Sequence, residues 1–150
     1  MKYFTILILI LGLTVTAYSQ SYTQKYNSFY DRTDFYDSNG NFMGYAKENK
    51  FYNRLEYYDA NGNLLKYEKH NDFYDQKDIY DQNSNQEGSE KWNNFYKRTD
   101  KYDDSGNQQG YKKWNEFYQR YDVYDGKGNL IGYFKYNSFY KRWDYISITE

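Results

Sequence analysis

Carboxylates recur in this chain on a fixed spacing: Asp34, Glu56, Asp78, Asp100, Asp122 and Asp144 stand 22 residues apart. An arginine lies two residues before each of them except Asp78, where Gln76 takes its place. Two carboxylates do acid–base work when unlike surroundings push their pKa values apart. A column of copies, each beside a cation, gives every member the same surroundings and reads as an ion-pair ladder. His70 is the only histidine and occurs in one unit, so neither a His-based triad nor a multi-histidine metal site is available. The sequence has no GxxxxGK phosphate loop and no GxSxG elbow. It points away from catalysis and implies no cofactor.

Two other patterns have chemistry to offer. Asp37-Ser38-Asn39-Gly40-Asn41 and Asp59-Ala60-Asn61-Gly62-Asn63 place oxygens at alternate positions, as the start of an EF-hand loop does. That loop also needs glycine at its sixth position and a bidentate Glu at its twelfth. Phe42 and Leu64 stand at the sixth, and only Glu48 fits the twelfth, so an Asx turn explains these residues more simply. The second pattern is the column Tyr26, Glu48, His70, Trp92, Trp114, Tyr136, which turns fully aromatic in its last three members. Rings about 9.6 Å apart, two strand spacings, would suit stacking of alternate sugars. Trp92, Trp114 and Tyr136 are therefore the candidate ligand-binding residues, and the plainer alternative is cross-strand aromatic packing.

The elements that must position these columns follow from the period. Phe-Tyr recurs at 29–30, 51–52, 73–74, 95–96, 117–118 and 139–140 without slippage, the mark of a repeat array. In the unit Phe51 to Asp72, the stretch Phe51 to Asp59 alternates as a strand and Asn61-Gly62 is a hairpin signal. Asn63 to Lys69 then reads as a second strand, and Asn71 with its counterparts supplies the return turn. Tyr-Arg-Asp-Tyr positions share one face. Whether the lysine column of the second strand joins that face depends on turn length, and the sequence leaves the register open.

Charge chooses between architectures. One coil per unit in a parallel solenoid would stack Arg on Arg and Asp on Asp at about 4.8 Å, at a cost of roughly 1 kcal/mol per pair in water. Hairpins hold like residues about 9.6 Å apart, with a strand between them. The expectation is all-β: an elongated antiparallel meander of about five and a half hairpins, forming an open twisted sheet or superhelical array. Its units start at residues 29, 51, 73, 95 and 117, with a final half-unit from 139. The terminal segment Trp143 to Ile148 is strongly β-prone, and as an open edge it would invite self-association through residues 143–148.

Composition and ends set the setting. Residues 1–19 read as a secretory signal: Lys2, then an apolar run from Phe4 to Leu13, then Ala17-Tyr18-Ser19. Residues 20–150 form one repeat domain. There are no cysteines, so no disulfides. Export without them fits a bacterial periplasm or cell exterior. Net charge is −1, with both signs interspersed, which gives no footprint for nucleic acid. No second run long enough to span a membrane as a helix follows. Beyond residue 20 there are ten Leu, Ile, Val and Met residues against 33 aromatics. The fold must be held by rings.

Tyr58-Asp59-Ala60-Asn61-Gly62-Asn63-Leu64 and Tyr124-Asp125-Gly126-Lys127-Gly128-Asn129-Leu130 resemble the core of YD repeats, hairpin units of bacterial secreted and surface proteins. The plan is also similar to MORN-type and choline-binding cell-wall repeats. The resemblance implies hairpins and an exported location, and says little about ligand. Two functions are open: a non-enzymatic module that binds envelope glycan or protein through aromatic surfaces, or a structural, self-assembling element in which the rings serve only the sheet.

Overall fold

The computed structural model describes residues 20–148; the segment read as an export signal lies outside the described residues. Among the described residues, twelve strands follow one another: β1 (Tyr22–Asn27), β2 (Arg32–Asp37), β3 (Phe42–Asn49), β4 (Arg54–Asp59), β5 (Leu64–Asn71), β6 (Gln76–Asp81), β7 (Gln86–Asn93), β8 (Arg98–Asp103), β9 (Gln108–Asn115), β10 (Arg120–Asp125), β11 (Leu130–Asn137) and β12 (Arg142–Ser147). Each pairs antiparallel with its neighbours in sequence, as the hairpin reading requires, and β1 pairs with β12.

That last pairing overturns the open sheet. The strands close into a barrel, and the register shows how. Lys25 lies opposite Asp34, and Asp34 opposite Tyr45, so crossing two strands advances 20 residues while the repeat is 22. Each hairpin is thus offset from the last by two residues. Six hairpins accumulate an offset of 12 residues, the shear of a twelve-stranded barrel whose strands tilt by about 35°. With strands about 4.8 Å apart, the backbone tube is about 22 Å across. Tyr22 meets Tyr145 and Thr23 meets Asp144 in the same relation that Gly132 and Tyr133 have to Val123 and Asp122. The two half-units at the chain ends therefore complete a sixth unit together. β12 pairs with β11 along its length and with β1 at Trp143, Asp144 and Tyr145, so the wholly open edge on which self-association through residues 143–148 was expected is absent.

The Asp-x-Asn-Gly-Asn turns are three-residue loops. Asp37 donates its amide to the Asn41 carbonyl, and Gly40, at φ +83°, donates to the Asp37 carbonyl. A bulge at Met43 follows, where Phe35 faces Gly44 and Tyr36 faces Phe42. The bulge restores the alternation, so Tyr45 and Lys47 share the outer face with Arg32 and Asp34. The Asp37 carboxylate accepts the amides of Asn39 and Asn41 at 2.9 and 2.8 Å and the Asn41 side chain at 2.9 Å. Those bonds hold it below the usual carboxylate range, Asn41 contributing most, and account for both of its oxygens. The turn explanation is the one the geometry supports.

The return connections correct the strand boundaries. Phe51 and Tyr52 are not in a strand: residues 50–53 form a four-residue loop, with Asn53 at φ +48°. Asn27, Asn49 and their equivalents cap it; the Asn93 Oδ1 accepts the amides of Phe95 and Tyr96 at 3.2 and 3.1 Å. All six Phe-Tyr loops join an odd strand to the next even one, so all lie at one end of the barrel, and the Asp-x-Asn-Gly-Asn turns lie at the other.

The outer wall is the expected ladder, built along each strand. Arg32 Nε lies 2.6 Å from Asp34 Oδ1, and the guanidinium sits between the rings of Tyr30 and Tyr45 at 4.7 and 4.1 Å. Asn27 donates to the second carboxylate oxygen at 2.7 Å. Arg54, Arg98 and Arg120 repeat the sandwich. Strands of six to eight residues with such rows facing outward cannot present a lipid-facing band.

The lumen is filled in two halves. Tyr22, Phe35, Ala46, Tyr57, Val123, Phe134 and Tyr145 make the apolar half, Tyr57 and Phe134 being fully buried. The strands from β5 to β9 contribute Lys66, Glu68, Lys77, Glu90, Lys101 and Lys112 instead. Lys77 Nζ bridges Glu68 at 3.1 Å and Glu90 at 3.6 Å. Beside Glu90, Lys101 and Lys112 is a cavity of ≈ 20 Å³, room for about one water.

Candidate functional site: the aromatic mouth of the barrel

Tyr26, Trp92, Trp114 and Tyr136 are each the last inward-facing residue of their strand before the Phe-Tyr loop. The variable column of the sequence is therefore the rim of the barrel's mouth. Closure adds a neighbour: because β1 follows β12, Tyr26 takes the place after Tyr136. The rim residues of the even strands fill the gaps, with Trp114 against Tyr121 at 4.8 Å, Tyr121 against Trp143 at 6.0 Å and Trp143 against Tyr136 at 5.3 Å. An aromatic arc covers one side of the mouth. Glu48, Leu55, His70 and Lys77 occupy the other.

The three candidate residues divide. Trp92 is 53% exposed and Tyr136 47%; Tyr26, at 49%, stands two strands from Tyr136 and across the mouth from Trp92. Trp114 is half-buried under Tyr121. The column is a curved rim on a ring and not the straight track expected of an open sheet. Trp92 Nε1 donates to Asn94 Oδ1 at 3.0 Å, and Tyr26 donates its hydroxyl to Asp31. That bond to an anion raises the Tyr26 pKa. The arc thus offers half-exposed ring faces, of which Trp92 and Tyr26 are fixed at their polar ends.

His70 sits across the mouth, its Nε2 3.3 Å from Asp72 and 3.9 Å from Asp75, both solvent-exposed. The repeated carboxylates stand far from this arrangement in character. Asp100, 2% exposed, is saturated by Arg98 at 2.6 Å, Asn93 at 2.8 Å and Gln108 at 3.3 Å. Each carboxylate of the ladder has an arginine or glutamine and an asparagine on it, so none is poised to move a proton.

Sequence reasoning missed three things. Tyr121 and Trp143 belong to the arc, and their own column (Thr33, Leu55, Lys77, Thr99, Tyr121, Trp143) turns aromatic in the same late units. The ionic half of the lumen was hidden because its charges do not repeat in every unit: Lys66 stands in a column of glycines, and Lys101 in one that is otherwise apolar. The third is the crown: the six loop phenylalanines are 84–88% exposed, each held edge-on by the following tyrosine at 4.8–4.9 Å.

No family model matches the sequence, and no curated protein does, so the likeness to YD and MORN-type repeats has no family behind it. The fold defines a closed, twelve-stranded antiparallel barrel with six near-identical hairpins. Among solved structures it is similar to a protein of Arabidopsis thaliana determined by X-ray crystallography, with a TM-score of 0.63 and 13% identity over 86% of this chain and 80% of that one. The similarity is one of fold.

Proposed function

We propose that the protein is an exported, non-enzymatic binding module of the cell envelope whose binding face is the mouth of the barrel, and that the ligand stacked there is a glycan. The observation that carries this is the pair of half-exposed rings Tyr136 and Tyr26 at one end of the aromatic arc, with half-exposed Trp92 at its other end, around a lumen filled by buried side chains. Aromatic faces held rigidly and open to solvent suit the apolar faces of sugar rings, and a shallow floor suits a ligand that lies on the rim. Glu48 and His70 opposite supply hydrogen-bonding groups for hydroxyls.

Titration of the intrinsic tryptophan fluorescence with soluble peptidoglycan fragments and β-glucan oligosaccharides tests the reading. Wild type is expected to bind, and a Trp92→Ala/Tyr136→Ala variant to lose binding while keeping its fold by circular dichroism. A wild type blind to every glycan, with the variant unfolding at lower urea, would return these rings to a purely structural role. The contact of Trp114 with Tyr121 is what favours that second reading.

A further inference from the structure

We infer that the phenylalanine crown seats the barrel end-on upon the surface of a lipid bilayer; the inference rests on taking this end as the binding face, but uses the loop tips and not the rim. A phenyl ring has no hydrogen-bonding group, so an exposed one gains nothing from water or from a polar partner. Six of them stand at the tips of six equivalent loops, 84–88% exposed. Beneath each is a tyrosine about half exposed, its ring under an arginine at most of the positions (4.7 Å in the first unit). Apolar ring outermost and amphipathic ring behind it is the order of a membrane interface, hydrocarbon first and headgroups next.

Spacing separates a bilayer from a protein partner. Around a tube about 22 Å across, successive loops stand about 11 Å apart, so the rings are isolated points and not one continuous patch. A protein surface would have to present six matched pockets at that spacing, whereas acyl chains close around each point wherever it enters. Charge names the lipid. The loops carry Lys50, Lys97 and Lys141 against Asp31, Asp72, Asp75 and Glu116, a net of −1 with the signs mixed. The loop tips themselves carry no basic cluster for an anionic membrane and suit a zwitterionic one. The exposed Lys25, Lys47, Lys69, Lys91, Lys113 and Lys135 stand a row behind them, opposite the repeated carboxylates.

The three tryptophans, Trp92, Trp143 and Trp114, all lie at this end, so native fluorescence reports on it. The full chain without its leader is mixed with phosphatidylcholine vesicles and sedimented. Partition is expected to persist in 0.5 M salt, with a blue shift of the emission and quenching by brominated lipid. Phe95→Ser is expected to weaken partition about tenfold, and serine at all six positions to abolish it. The rings touch little beyond their own tyrosines, so the variants should keep their far-ultraviolet spectrum, and the single Phe95→Ser and Phe117→Ser changes carry the test if the sixfold one does not fold. Failure of wild type to partition at millimolar lipid, binding only to anionic vesicles and loss in salt, or a crown-dependent dimer with no vesicle binding would each overturn the inference. The Trp92→Ala/Tyr136→Ala variant should still partition, and Phe95→Ser should still bind soluble glycan, so the two readings fail separately.

Discussion

Lys101 faces the lumen opposite Glu90 and Gly110, in a cluster of four lysines and two glutamates. Burial dominates its environment and pushes its pKa down from 10.5 to about 8, Glu90 opposing and Lys66 reinforcing the fall. At 1.36 kcal/mol per pH unit, that displacement corresponds to a cost of about 3 kcal/mol when the ammonium is charged. Below pH 8 both folded and unfolded chains carry the proton and the cost is borne in full. Between pH 8 and 10.5 the unfolded chain holds a proton the folded chain has released, so stability must rise with pH. Lys66 and Lys112, also lowered chiefly by burial, push the same way, and Lys77, raised by Glu68 and Glu90 against its desolvation, pushes back. Tyr57 and Tyr58, both raised, the latter to about 12, make stability fall again above pH 10. Urea unfolding followed by tryptophan fluorescence at pH 7, 8, 9 and 10 should therefore show a maximum near pH 10. Lys101→Met should raise stability at pH 7 by up to about 3 kcal/mol and flatten the climb, since Glu90 keeps Lys77 at 3.6 Å. A profile that is flat or falls from pH 7 to 9.5, or a methionine variant less stable than wild type, would refute the account of the lumen.

Two further outcomes follow from the wall and the closure. Asn93→Ala removes the cap on the 94–97 loop and one donor to the buried Asp100, and should cost about 2–3 kcal/mol in urea unfolding; a loss under about 0.5 kcal/mol would show the cap to be idle. A circular permutant that joins residue 148 to residue 20 by a short Asn-Gly link and opens the turn at residues 82–84 should keep the near-ultraviolet spectrum and melting temperature within a few degrees. Deleting residues 20–27 instead should expose the edges of β2 and β12 and aggregate the protein.

The hairpin, its turn and the ion-pair ladder were legible because each is local. Asp37 to Asn41 closes on itself, and Arg32 reaches Asp34 two residues away. Closure was not legible, because it is a sum. The two-residue offset per hairpin depends on a three-residue loop and a bulge at Met43, and neither can be counted from residue types alone. The Phe-Tyr pair misled for a related reason. Two aromatics before Arg54 look like the start of a strand, yet Asn49 accepts the Tyr52 amide and bends the chain before β4 begins. For the binding column, the change of residue type was visible at Trp92, Trp114 and Tyr136. That Tyr26 continues it was not, since 110 positions separate Tyr26 from Tyr136 and only the barrel makes them neighbours.

A six-unit barrel separates what the fold needs from what it does not. Positions that every unit must fill alike, such as the arginine between two tyrosines or the asparagine on the buried carboxylate, are held by contacts that recur in almost every unit. Positions that vary, such as the rim and the lumen, are where the units can differ without breaking the wall. The loop phenylalanine fits neither rule: it is identical in all six units, is 84–88% exposed, and its ring contact is with its own tyrosine. Burial cannot be the cause, because there is almost none, and the turn does not require it, because the asparagine cap and the positive-φ residue make the turn. An apolar ring repeated six times in water, at one end of a rigid tube, is the feature that the proposed seat on a bilayer would account for.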